Sequence, residues 1–156
     1  MQNPARVRDL SDPEILQASR GAIIEVLETM FFELPVAELT LVDVPLPVPN
    51  VVRAGFHGSL AGVMYVALAC ETCARLTRAF LGKEPDEVAP GEQCNTAFEL
   101  ANMLCGTTLS RLEPQGRLAI EPPRHTDETE TPSGPWLRFP LEDGSIDVAL
   151  HFGEGL

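Results

Sequence analysis

Apolar positions along the chain follow two periods, one helical and one of strands. Leu16, Ile23, Leu27, Met30 and Leu34 recur at helical spacing, with Ile24, Val26 and Phe31 beside them. That run opens on Ser11-Asp12-Pro13-Glu14, which supplies a capping residue, a proline near the first helical position and an early acid, and it must end before Pro35. A long first helix with this stripe on the core is predicted. Residues 43–50, DVPLPVPN, place a proline at every second position, which forbids a helix and predicts an extended connector within the domain. Residues 51–69 read as a hairpin turning near Gly58-Ser59, its second strand almost wholly apolar. A short helix over 71–81 is stopped by Gly82, and a loop follows over 83–91. A second long helix runs from about residue 91 to 112, with Pro114 and Gly116 as its stop signals. Three strand candidates complete the chain, at 117–121, 136–141 and 145–152. The last two are joined by a turn at Glu142-Asp143-Gly144, and residues 125–135 form a polar, acidic loop.

The second long helix, whose middle reads CNTAFELANMLCG from Cys94, carries a polar stripe. At 100° per residue, Glu92, Asn95, Asn102, Gly106 and Ser110 fall within about 60° of Glu99. Phe98, Ala101, Leu104, Cys105, Thr108 and Leu112 point the other way and account for the core, so Cys105 reads as a small hydrophobe. Gly106 is the odd member. A mid-helix glycine costs about 1 kcal/mol relative to alanine, and on an exposed face packing does not demand it. Close approach by a partner explains it. Glu99 and Asn102 taken alone read as an ordinary solvated pair.

Composition narrows what such a face can serve. The chain has 156 residues, 44% hydrophobic and 22% charged, which suits one folded domain. Eleven Lys and Arg against 23 Asp and Glu give a formal charge of −12, which would repel a phosphate backbone, so nucleic acid is not an expected partner. The first residues lack the apolar run of a signal peptide and no stretch approaches the roughly 20 apolar residues of a membrane span, so a cytoplasmic protein with no membrane partner is expected. Its four cysteines are then thiols. Cys94 and Cys105 lie roughly 16 Å apart along one helix and cannot share a metal. His57, His125 and His151 sit in separate segments and receive no role. Cys70 and Cys73 form a CxxC between a strand and a helix, where a helix N-terminus favours thiolate chemistry. The flanking order lacks the βαβ alternation of a thioredoxin-like fold, which ranks thiol redox behind the readings below.

ELANMLCGTTLSRL, an ExxN followed four residues later by glycine, resembles the signature helix of the CheC/CheX/FliY family of chemotaxis phosphatases. GRLAIEPP resembles the family's strand ending in prolines, WLRFPLEDGSIDVALHF its final hairpin, and GFHGSLAGVMYVALA its early glycine-bearing hairpin. The resemblance covers nearly the whole chain and is strongest to the single-site CheX-like members. It implies one CheX-like α/β (α+β) domain over residues 1–156, a β-sheet packed against two long helices and a short one, and a homodimer. It also implies a substrate, the phosphoaspartate of a CheY-like response-regulator receiver, whose own Mg²⁺ neutralises the phosphoryl oxygens; no cofactor or metal is expected on this chain. Glu99 and Asn102 then take the catalytic positions, with Asn95, Met103 and Gly106 as partner contacts. The family often carries Asp or Ser where this chain has Asn95, which can hydrogen-bond but carries no charge. The other class of reading is a non-catalytic adaptor or flagellar-switch-like module that binds a receiver without hydrolysis.

The first helix reads as a degenerate copy of the same element. Aligning Glu25 with Glu99 sets Glu28 at the position of Asn102 and Phe32 at that of Gly106, and each helix is followed by strands, as in an internal repeat. A second carboxylate and a bulky ring make this copy silent, and Phe32 is expected either under a neighbouring segment or in a protein contact.

Overall fold

Asp12 starts the first helix as its sequence context predicts. In the computed structural model, which describes residues 8–126 and 130–153 and not the side chains of residues 85, 90, 93 and 94, its carboxylate accepts the Glu14 N–H at 3.0 Å. Helix α1 spans Pro13–Phe31 and ends where Phe32 turns left-handed, with φ 58°, its N–H donated to the Leu27 carbonyl. The buried face is Ile15, Ala22, Ile23, Val26, Leu27 and Phe31. The predicted stripe is therefore rotated. Leu16 is half-buried, Met30 is 41% exposed and Leu34, beyond the helix end, is 61% exposed. Small residues at Ala18, Gly21 and Ala22 let α1 lie close to its neighbour, and spacing of large apolar residues alone does not reveal that.

The remaining elements are β1 (Thr40–Val42), β2 (Val51–Gly58), β3 (Gly62–Leu68), α2 (Cys70–Leu81), a single 3₁₀ turn at Pro85–Glu87, α3 (Pro90–Leu112), β4 (Leu118–Ile120), β5 (Arg124–His125), β6 (Trp136–Leu141) and β7 (Gly144–Phe152). Gly82 closes α2 with φ 67°, a conformation that costs glycine nothing. Strands β1 and β5 were not anticipated; at three and two residues they are too short to show alternation.

All pairings are antiparallel, in the order β1-β6-β7-β3-β2-β4, with β5 also on β2. Exchanging β1 with β4, β2 with β6 and β3 with β7 reverses this order onto itself, so the two halves of the sheet repeat, as the sequence copies predict. The three helices pack on one face, where Leu27, Leu76, Leu100 and Leu104 meet Val52, Met64, Phe139 and Leu150. The proline segment crosses the other face. Its Leu46 N–H donates to Asp147 Oδ2 at 2.8 Å, and Arg138 grips the same fully buried carboxylate through two bonds of 3.0 and 2.9 Å. Val48 packs there with Trp136 and Tyr65, so the predicted connector also covers the sheet. Among the described residues no helix is long and apolar enough to cross a membrane.

Candidate functional site

Helix α3 divides as its polar stripe predicts. Ala97, Leu100, Ala101, Leu104, Cys105, Thr108 and Leu109 are buried, Asn95, Glu99 and Ser110 exposed, and Asn102, Met103 and Gly106 half-buried. Burial alone pushes the Cys105 thiol up to about 12, so it is an inert part of the core. Glu92 leaves the face, because Lys83 Nζ donates to its carboxylate at 2.7 and 3.0 Å. The side chain of Cys94 lies outside the described residues.

Glu99 and Asn102, one helical turn apart, make no side-chain hydrogen bond or ion pair among the described residues. Gly106 follows one turn on, and among the described residues a Cβ built there meets only Ile120 Cδ1, at 3.6 Å, an ordinary contact. No described residue requires glycine at this position, so its cost in helix propensity is not explained by packing among them. Met103 is partly packed against the core, which fixes it at the border of the face.

Two flanks bound the stripe. On the α1 side, Arg111 Nη2 pairs with Glu25 at 3.1 Å, its guanidinium lying 2.6 Å from where a Cβ on Gly21 would sit. On the sheet-edge side, Phe98 holds the ring of His125 at a centroid distance of 5.0 Å. Sequence reasoning gave His125 no role; the signal beside it was the proline pair Pro122-Pro123.

The degenerate copy on α1 exposes Glu25 and Glu28, but Glu25 is engaged by Arg111. Phe32 lies beyond the helix end and is 77% exposed, so no described segment covers it. Cys70 opens α2, exposed, and its sulfur accepts from Asn50 Nδ2 at 3.0 Å, while Cys73 is buried one turn on. The surrounding sheet is antiparallel, not the βαβ order of a thioredoxin-like fold. His57 is exposed, and burial holds the half-buried His151 imidazole below its ordinary range. Among the described residues no group of three or more His, Cys, Asp or Glu could hold a metal ion.

The candidate site is an exposed helix face and not a cleft. A cavity of about 840 Å³ lies elsewhere, lined by residues 43–49, Val51, Thr126 and residues 131–133, and none of the α3 residues lines it.

Residues 51–134 match the family model described as chemotaxis phosphatase CheX. No curated protein matches the chain in sequence. Among solved structures, the chemotaxis protein CheX of Desulfovibrio desulfuricans is 17% identical with a TM-score of 0.70, over 90% of this chain and 99% of that one. The CheX of Borrelia burgdorferi, solved with CheY, BeF₃ and Mg²⁺, is 19% identical at TM-score 0.70, over 90% and 98%. Thermotoga maritima FliY is 14% identical at TM-score 0.58, over 92% and 88%. These likenesses establish the fold, a mixed helix and antiparallel-sheet domain shared with CheX structures. The family match covers more than half of the 156 residues, and the chain belongs to the chemotaxis phosphatase CheX family.

Proposed function

We propose that this chain is itself a catalyst, hydrolysing the aspartyl phosphate of a CheY-like receiver domain with Asn102 and Glu99. One observation carries the reading. Two polar side chains with no hydrogen-bond or ion-pair partner among the described residues stand one turn apart on an exposed helix, beside a glycine whose place no described residue requires. The B. burgdorferi CheX complex supports the partner's chemistry, since that relative was solved in a complex with CheY, BeF₃ and Mg²⁺.

Hydrolysis of a phosphoryl group depends on placing water in line and stabilising charge, and needs no covalent intermediate on this chain. The Asn102 carboxamide accepts from the attacking water through Oδ1 and donates through Nδ2, while adding no negative charge beside the phosphoryl oxygens. Glu99 is an anion and would be repelled by phosphate, so its place is in docking. It pairs with a lysine that the receiver carries beside its phosphoaspartate and fixes the angle at which α3 enters. Asn95, Met103 and Gly106 complete the contact surface around this pair. The metal is the substrate's: Mg²⁺ arrives on the receiver and neutralises the phosphoryl oxygens there. The reaction is cytoplasmic, and the active protein is a homodimer.

Incubation with a panel of Mg²⁺-bound phosphorylated receivers tests the reading. Phosphate release from at least one receiver should be accelerated well above its own rate. Binding of a receiver without acceleration would assign the chain to the adaptor class.

A further inference from the structure

The sheet edge alongside α3 contains a bulge. Ile120 of β4 faces Phe56 on β2, whereas Arg124 and His125 of β5 face Arg53 and Val52. From Phe56 to Arg53 the inner strand advances three residues, while the edge advances four, from Ile120 to Arg124. The extra residue falls at Pro122-Pro123, neither of which has an N–H for the ladder, and Glu121 closes the pairing before them by donating to the Gly55 carbonyl at 2.8 Å. Successive side chains on a strand alternate faces, so a slip of one residue exchanges them. Without the bulge Arg124 would lie opposite Val52, on the helix side, and His125 would point away. With it, His125 shares the helix side with fully buried Val52 and rests on Phe98.

That placement borders the site. Phe98, Asn102 and Gly106 succeed one another at single turns of α3, with His125 against the first and Ile120 against the last. Asn102 therefore lies between two edge residues. His125 is exposed, and among the described residues its ring makes no side-chain hydrogen bond, which leaves a ring N–H available to a partner.

The geometry points to His125 as a further docking contact for the phosphorylated receiver, its ring N–H donating to an acceptor oxygen of the receiver surface beside the phosphoryl group. This rests on α3 being the receiver-docking face. The imidazole is a positioning group: one helical turn of about 5 to 6 Å separates Asn102 from the residue it touches, beyond the roughly 3 Å at which it could hold the attacking water. Pro122 and Pro123 are then the device that aims it.

The test measures phosphate release against receiver concentration, together with the Kd for the same receiver loaded with beryllofluoride and Mg²⁺. His125→Phe keeps an aromatic ring on Phe98 but has no N–H. It should raise both KM and Kd about five- to ten-fold, as loss of one interfacial hydrogen bond does, with kcat within about two-fold of wild type. His125→Gln, which restores a donor, should recover part of the loss. Unchanged KM and Kd in His125→Phe, with weakening only in His125→Ala, would reduce the residue to packing and overturn the inference, as would a fall in kcat at constant KM. Wild-type protein that binds the receiver but releases no phosphate fails the phosphatase reading alone, because the Kd arm still decides His125. Wild-type protein that binds no receiver overturns both.

Discussion

Replacing Gly106 with alanine should make the protein more stable and less active. Gly106 lies within the 23-residue α3, where alanine is favoured over glycine by about 1 kcal/mol. Among the described residues nothing offsets this gain. The added Cβ meets only Ile120 Cδ1 there, at 3.6 Å, an ordinary van der Waals contact that contributes another ~0.1 kcal/mol. About 1 kcal/mol raises the unfolding midpoint of a domain this size by roughly 2–4 °C. If the receiver docks on α3 as proposed, the same methyl occupies the space it needs beside Asn102. A misplacement of about 1 Å at a reacting centre can cost about 100-fold in rate, so phosphate release should fall by roughly 10- to 100-fold. Thermal melting and steady-state phosphate release on one preparation measure the two effects. A variant as active as wild type would refute close approach as the reason for the glycine, and a lowered midpoint would refute the claim that the fold leaves the position open. Gly21 supplies the contrast, since a Cβ there meets Arg111 Nη1 at 2.6 Å and would displace the guanidinium from Glu25.

Glu25→Ala should leave phosphate release near wild type and cost at most about 0.5 kcal/mol of stability, because the Arg111 pair it removes is solvent-exposed; a loss as deep as that of Glu99→Ala in a folded protein would show that α1 is a working site. Phe32→Gly should raise the midpoint by roughly 2–4 °C in protein dilute enough to be monomeric, since it relieves a left-handed backbone of about 1 kcal/mol and removes a ring that is 77% exposed. A lower midpoint would mean that the ring packs on something within the chain. The double variant Cys70→Ser with Cys73→Ser should retain phosphatase activity, measured with and without reductant; activity that disappears in it and follows the redox state of the wild type would revive a thiol mechanism.

The polar stripe on α3 was legible because one helical period governs all of it, and Leu100, Leu104 and Cys105 on the opposite side left no doubt about which face was buried. Capping chemistry fixed the start of α1 at Asp12 and the end of α2 at Gly82. The stripe on α1 was misread, since Met30 and Leu34 keep helical spacing while the helix stops at Phe31 and packs through its smaller residues. The early stop rests on a left-handed Phe32, a conformation no local preference of phenylalanine announces. Glu92 left the stripe through a lysine nine residues away, and Glu25 was engaged by an arginine 86 residues away. Such contacts depend on how elements are juxtaposed. The bulge that aims His125 is likewise a matter of register between strands, and only its prolines are visible in the sequence.

The most direct measurement compares wild type with Asn102→Ala on one phosphorylated, Mg²⁺-bound receiver, following phosphate release under single-turnover conditions and binding to the same receiver loaded with beryllofluoride. If Asn102 orients the attacking water, the variant should lose about 100-fold or more of the stimulated rate while its Kd stays within about two-fold of wild type. A variant that releases phosphate at the wild-type rate, or whose loss is entirely a loss of binding, would contradict the mechanism.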